Sequence, residues 1–151
     1  MSDRGGWSIG DACSMSKALD LLKTKTVFLV IRECFYGTSR FEDFVARTGT
    51  SAPAVSRALD QLEGADVVTR VRYQQPGERA RDAYELTAAG EDLLPVFLAL
   101  VQWGDAHLQD GAAPLAFVDA ATGERISVSV VAGGRRSSRR SDDIEIRRVA
   151  P

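Results

Sequence analysis

One histidine, His107, and two cysteines, Cys13 and Cys34, are the whole supply of imidazole and thiol groups in this 151-residue chain. Histidine acid–base catalysis, a Ser-His-Asp triad and a structural zinc site each need more such groups, or need them at close spacing. No GxxxxGK[ST] or GxGxxG string is present to cradle a nucleotide. An enzyme, a metal site and a bound cofactor are therefore not expected. What the sequence does offer is arginine set in patches. Arg70, Arg72, Arg79 and Arg81 share a short stretch with a single acid, Glu78, and the last forty residues hold seven arginines against five acids. The formal net charge is only −2, so these two basic spots sit on an otherwise acidic body. Such a distribution suits a protein that presents one face to a polyanion.

The elements that must position those arginines follow from periodicity. A short helix is expected over 15–22, with Ser14 or Ser16 as its cap. A buried helix over 25–35 follows, closed by Gly37. Ser39 is placed to cap a helix over 40–47, whose Phe41, Phe44 and Val45 form one apolar stripe. Thr48-Gly49-Thr50 is a tight turn. Ser51 then caps a further helix, with Pro53 tolerated in its first turn and Val55, Ala58, Leu59 and Leu62 facing inward. The β-branched segment 67–73, a loop over 74–80 and a return strand over 81–87 make a hairpin. Thr87 caps a long helix from Ala88 to about Gln109, kinked at Pro95. Alternating stretches at 114–118, 125–131 and 143–149 predict a small β appendage carrying a basic loop.

Helix, turn, helix and hairpin in that order predict a helix-turn-helix with a wing. The second helix of such a unit enters the major groove by its N-terminal end and needs short polar groups there. Ser51, Ala52, Ser56, Arg57 and Gln61 are the candidates. The wing tip would track the phosphate backbone or the minor groove through Gln75, Arg79 and Arg81. Ser39 and Arg40, at the start of the first of the two helices, are placed for a phosphate contact that sets register. The expected fold is α+β, a winged helix-turn-helix with N- and C-terminal dimerisation helices and the β appendage. Its divisions are an arm over 1–12, a DNA-binding and dimerisation domain over 13–110, and the appendage over 111–151.

The same residues resemble the HxlR-type winged helix-turn-helix regulators of the MarR-like superfamily. The resemblance rests on Cys13, Ala18-Leu19-Asp20, Ile31-Arg32-Glu33, Gly37 with Arg40-Phe41, and Val55-Ser56-Arg57-Ala58-Leu59. It continues through Leu62-Glu63, Val67-Val68, Arg70, Tyr84-Glu85-Leu86-Thr87, Gly90, Leu93-Leu94-Pro95 and Trp103-Gly104, about two thirds of the chain. Thr24-Lys25-Thr26 stands where the family usually shows Gly-Lys-Trp. The resemblance implies a bacterial homodimer on double-stranded operator DNA, with terminal helices at the seam, repressing in response to a redox or small-molecule signal. On that footing Cys13 is the candidate redox sensor. Phe97, Leu100, Val101 and Trp103 are the candidate seam or effector pocket.

Each assignment has a plainer rival. The wing arginines could be a solvated hairpin, the serines mere caps, and the arginine run 135–140 a solvated loop. Cys34 is more simply inert core. A winged-helix protein-interaction module that never touches DNA is the alternative function. With no leader peptide and no run of 18 apolar residues expected, a cytoplasmic, membrane-free protein is the default.

Overall fold

The computed structural model describes residues 12–74, 80–111, 113–132 and 139–149. Six α-helices, a 3-10 turn at Ser141–Asp143 and two separate two-stranded antiparallel sheets appear among them. Helices α1 (Ser14–Leu21), α2 (Lys25–Phe35), α3 (Phe41–Thr48) and α4 (Ala52–Gly64) come first. Strands β1 (Val68–Tyr73) and β2 (Arg81–Leu86) form the wing, in register from Val68 opposite Leu86 to Tyr73 opposite Arg81. Helices α5 (Ala88–Glu91) and α6 (Leu94–His107) follow. The appendage then pairs β3 (Leu115–Asp119) with β4 (Ile144–Arg148).

Local chemistry accounts for most boundaries. Thr24 caps α2, its hydroxyl accepting from the Val27 N–H at 3.2 Å, which gives Thr24-Lys25-Thr26 a structural role of its own. Cys13, rather than Ser14 or Ser16, is the N-cap of α1, and Arg40, rather than Ser39, is the N-cap of α3; neither side chain makes a capping bond. Ser39 serves the sheet instead, since its carbonyl accepts from the Tyr84 N–H at 2.8 Å and Arg40 bridges Ala83. The turn between α3 and α4 has Gly49 at φ 63°, a backbone state in which glycine is unstrained. Thr48 steadies that turn by donating to the Phe44 carbonyl at 2.7 Å.

The long helix expected from Ala88 is two helices. Pro95 lies in the first turn of α6, where its missing N–H costs nothing; inside one continuous helix it would have removed a bond and met the carbonyl four residues back. The chain therefore breaks at Asp92-Leu93. In the appendage only Arg125 of the stretch 125–131 joins a bridge, to Val118. The alternation expected there nevertheless holds, with Ile126 and Val128 half-buried between exposed neighbours.

The core gathers Val27, Val30, Phe44, Val55, Leu59, Leu62 and Val68, all essentially inaccessible, so α2 is the central element under α3, α4 and the wing. A chain of rings extends it, with Phe97 packed 5.2 Å from Phe35 and 5.9 Å from Phe117 of the appendage. The appendage is thus seated on α6 by an aromatic contact. Behind the wing, α5 meets the α4–β1 turn at Gly90. A Cβ there would lie 2.1 Å from the Val67 carbonyl oxygen and 2.9 Å from the Leu86 side chain. Gly90→Ala is expected to cost about 2 kcal/mol or more in urea unfolding. Gly64→Ala, with open space around its added methyl, should cost none of this. Equal stability of the two variants would contradict the packing.

Candidate nucleic-acid interface

The interface is built on the α3–turn–α4 frame, whose inner faces supply the core and whose outer faces are left to solvent. On α4 the inward residues are Val55, Ala58, Leu59 and Leu62. Ala52, Pro53 and Arg57 are exposed and Ser56 is half-buried. These four lie on one side at spacings of three and four. Ser51 is the N-cap, exposed, and its side chain makes no capping bond. Pro53 has no N–H, and the Ala54 and Val55 N–H groups donate to the Ser51 carbonyl, so the N-terminal end of α4 offers chiefly side chains to whatever approaches: the Ser51 and Ser56 hydroxyls and the Arg57 guanidinium.

Charge on this face is set by which arginines are already engaged. Arg70 is, with its guanidinium 2.9 Å from Glu63, 3.4 Å from Asp60 and 3.8 Å from Asp82. The same group lies over the Tyr84 ring at 5.4 Å. Burial, the largest influence, raises the Tyr84 hydroxyl pKa, while Arg70 opposes it. Arg81 pairs with Glu42 of α3 at 3.6 Å. Among the described residues no ion pair is made by Arg40, Arg47, Arg57 or Arg72. Arg40 rests over the Tyr73 ring at 5.2 Å, which joins the start of α3 to the wing.

Some expected site residues therefore share a face and others do not. Ser51, Ala52, Ser56 and Arg57 come together, with Arg40 at the wing edge. Gln61 is committed elsewhere, since its amide donates to the Leu21 carbonyl and closes the C-terminus of α1. Arg81 reaches outward with its charge partly met by Glu42. Gln75 and Arg79 lie outside the described residues. Sequence reasoning passed over Arg47, exposed in the last turn of α3, and counted Arg72 without assigning it a role. No spacing rule singles them out, since Asp43 stands four residues before Arg47 and Asp82 lies opposite Arg72; only the fold shows that neither arginine makes an ion pair among the described residues.

The remaining candidates separate by burial. Cys13 is half-buried and Cys34 fully so. Desolvation, and then the neighbouring Glu33, push the Cys34 thiol up to about 12, which makes it inert at neutral pH. The Ile31-Arg32-Glu33 string is structural, with buried Glu33 accepting from Thr38 at 3.0 Å and from Arg32 at 2.8 Å to close the end of α2. Of the four seam candidates, Phe97 is core and Val101 is half-buried, while Leu100 and Trp103 face outward. No group of three or more His, Cys, Asp or Glu side chains that could hold a metal occurs among the described residues. No helix among them is long and apolar enough to cross a membrane.

A helix-turn-helix frame with an open recognition-helix end beside a two-stranded wing defines a winged helix-turn-helix module. The chain belongs to the HxlR-like helix-turn-helix family, which residues 21–112 match. The uncharacterized HTH-type transcriptional regulator Rv3095 of Mycobacterium tuberculosis is 36% identical over 95 residues, 63% of this chain and 59% of the relative. The corresponding regulator sll1512 of Synechocystis is 33% identical over 101 residues, 66% of this chain and 73% of the relative. The chain thus spans 59% of the length of the mycobacterial relatives. Among solved structures, PA1607 superposes with a TM-score of 0.73 at 24% identity, covering 83% of this chain and 87% of its own, a likeness of fold. Reduced YodB, a transcriptional regulator from B. subtilis, gives 0.56 at 26% identity, covering 66% and 97%. The redox regulator HypR in its oxidized form gives 0.58 at 25%, covering 66% and 100%.

The division between engaged and open polar residues on α4 can be measured without DNA. Gln61→Ala should lose about 1 kcal/mol of stability through the orphaned Leu21 carbonyl. Ser56→Ala should stay within about 0.5 kcal/mol of the parent. The reverse order in chemical denaturation would move Gln61 to the open face.

Proposed function

We propose that the chain is a bacterial, cytoplasmic, sequence-specific DNA-binding transcriptional regulator that acts as a homodimer on a pseudo-palindromic operator. The observation that carries this reading is the open end of α4. Short polar side chains project there with Arg57, which makes no ion pair among the described residues, while the acids lower on the same helix, Asp60 and Glu63, are held by Arg70. Arg57 would read a base edge, and Arg40, Arg47 and Arg72 would meet phosphates. Ser39, whose backbone is tied to Tyr84, would act only by placing Arg40. Gln75, Arg79 and Arg81 at the wing would grip the flank of each half-site. A dimer lying across two grooves excludes other proteins from the same duplex, so repression is the proposed direction.

Dimerisation is supported by apolar surface that one chain leaves uncovered. Val96, Leu100 and Trp103 of α6 recur at helical spacing and are 46%, 49% and 56% exposed. Met15 and Leu19 of α1 are 68% and 54% exposed, and α1 buries none of its residues. A helix whose apolar residues run round to its outer face, as those of α6 do, calls for cover on that face too. A second copy meeting the first through these two helices supplies it and sets the spacing of the two recognition helices. Trp103→Glu with Leu19→Glu is expected to turn a dimer into a monomer in sedimentation. A parent that already sediments as a monomer would refute the seam.

Selection of bound fragments from random duplexes, followed by gel shift, tests the DNA reading. Arg57→Ala should narrow the gap between selected and random sequence by about 1–3 kcal/mol. Arg47→Ala, Arg72→Ala and Arg79→Ala should weaken all sequences alike and each lower the salt slope by roughly one. If no duplex is retarded at low salt, the chain is a protein-interaction module instead.

A further inference from the structure

Between α6 and the appendage lies a cavity of about 380 Å³, on the opposite side of α6 from Leu100 and Trp103. Its walls are mostly apolar, with Leu98 and Val101 from α6, Leu115 and Phe117 from β3, and Ile126 from the segment beyond it. The walls are held apart by specific bonds. The Gln102 amide grips the backbone of Val128 twice, donating to its carbonyl at 3.1 Å and accepting from its N–H at 3.0 Å. Ile126 donates its N–H to the Phe117 carbonyl at 2.8 Å, and Phe117 is wedged against Phe97. A preformed apolar recess of this size is the usual shape of a small-molecule site.

Two charges border it. Arg125 is exposed at the rim and Asp105 is half-buried on α6, and neither makes an ion pair among the described residues. We propose that this cavity binds a small amphipathic anion whose ring-sized apolar body packs on Leu98, Val101, Phe117 and Ile126 and whose acidic group meets Arg125. Asp105 fixes the orientation. It repels an acidic group at its own end and accepts from a hydroxyl or amine there. Ala113, Leu115, Phe117, Arg125 and Ile126 all lie beyond residue 112, so half of the wall, including the arginine, comes from outside the segment that matches the family. The site stands independently of the DNA reading, because its readout requires no DNA.

The probe is 8-anilinonaphthalene-1-sulfonate, an aromatic anion that fluoresces when desolvated, titrated into the full chain. One saturable site per chain is expected. Arg125→Gln, a change at an exposed position, should weaken it by about tenfold through loss of a charge-assisted bond. Ala106→Trp, which fills the cavity from its exposed lining position, should abolish it. Absence of saturable binding by the parent overturns the proposal. So does parent-like binding by either variant, which would place the dye on the outward row of α6.

Discussion

The Arg70 guanidinium is the contact on which the candidate interface depends. It stands between the recognition helix and the wing, over Tyr84 and within reach of Asp60, Glu63 and Asp82. Each of these pairs is a surface pair and contributes little to stability by itself. Their consequence is electrostatic and geometric. Two carboxylates on α4 that would repel a phosphate backbone are drawn toward Arg70 and partly offset by it, and the wing is tied to α4. Arg57, Arg47, Arg40 and Arg72 are left without acidic partners among the described residues, so a chain with a formal net charge of −2 can still show a cationic face.

Helix α6 connects the other parts of the molecule. One side of it reaches the core through Phe97 and Leu98, another borders the appendage through Val101 and Gln102, and a third carries Leu100 and Trp103 outward. A displacement of this helix would therefore be felt at the cavity and at the proposed seam together. A ligand that favours one seam arrangement over the other would shift their populations by its difference in affinity, and a ligand indifferent to both would shift nothing.

Local signals made much of this legible in the sequence. Gly49 between two threonines, the apolar stripe of Phe41, Phe44 and Val45, and the hairpin flanked by Thr87 depend on neighbours a few residues away, and they appear as read. The misreadings are tertiary. Gln61 looks like an open polar position on a helix face until the Leu21 carbonyl, forty residues earlier, is brought to it. Arg81, on β2, counts as free charge until Glu42 of α3 approaches. Ser39 has the composition of a cap but its backbone is recruited by the wing. The break before Pro95 was visible as a kink because proline acts locally, although the two resulting helices were read as one. The cavity had no linear signal at all, since α6 and the appendage each supply only half of its wall.

The central claim is that two copies of the α4 end and its wing lie on one duplex together. Hydroxyl-radical and dimethyl sulfate footprinting of a selected duplex measures this most directly. The account predicts two protected major-groove segments whose centres lie about one helical turn, 10–10.5 base pairs, or a multiple apart, each flanked by wing protection. A single protected segment, or protection confined to the minor groove, would contradict it.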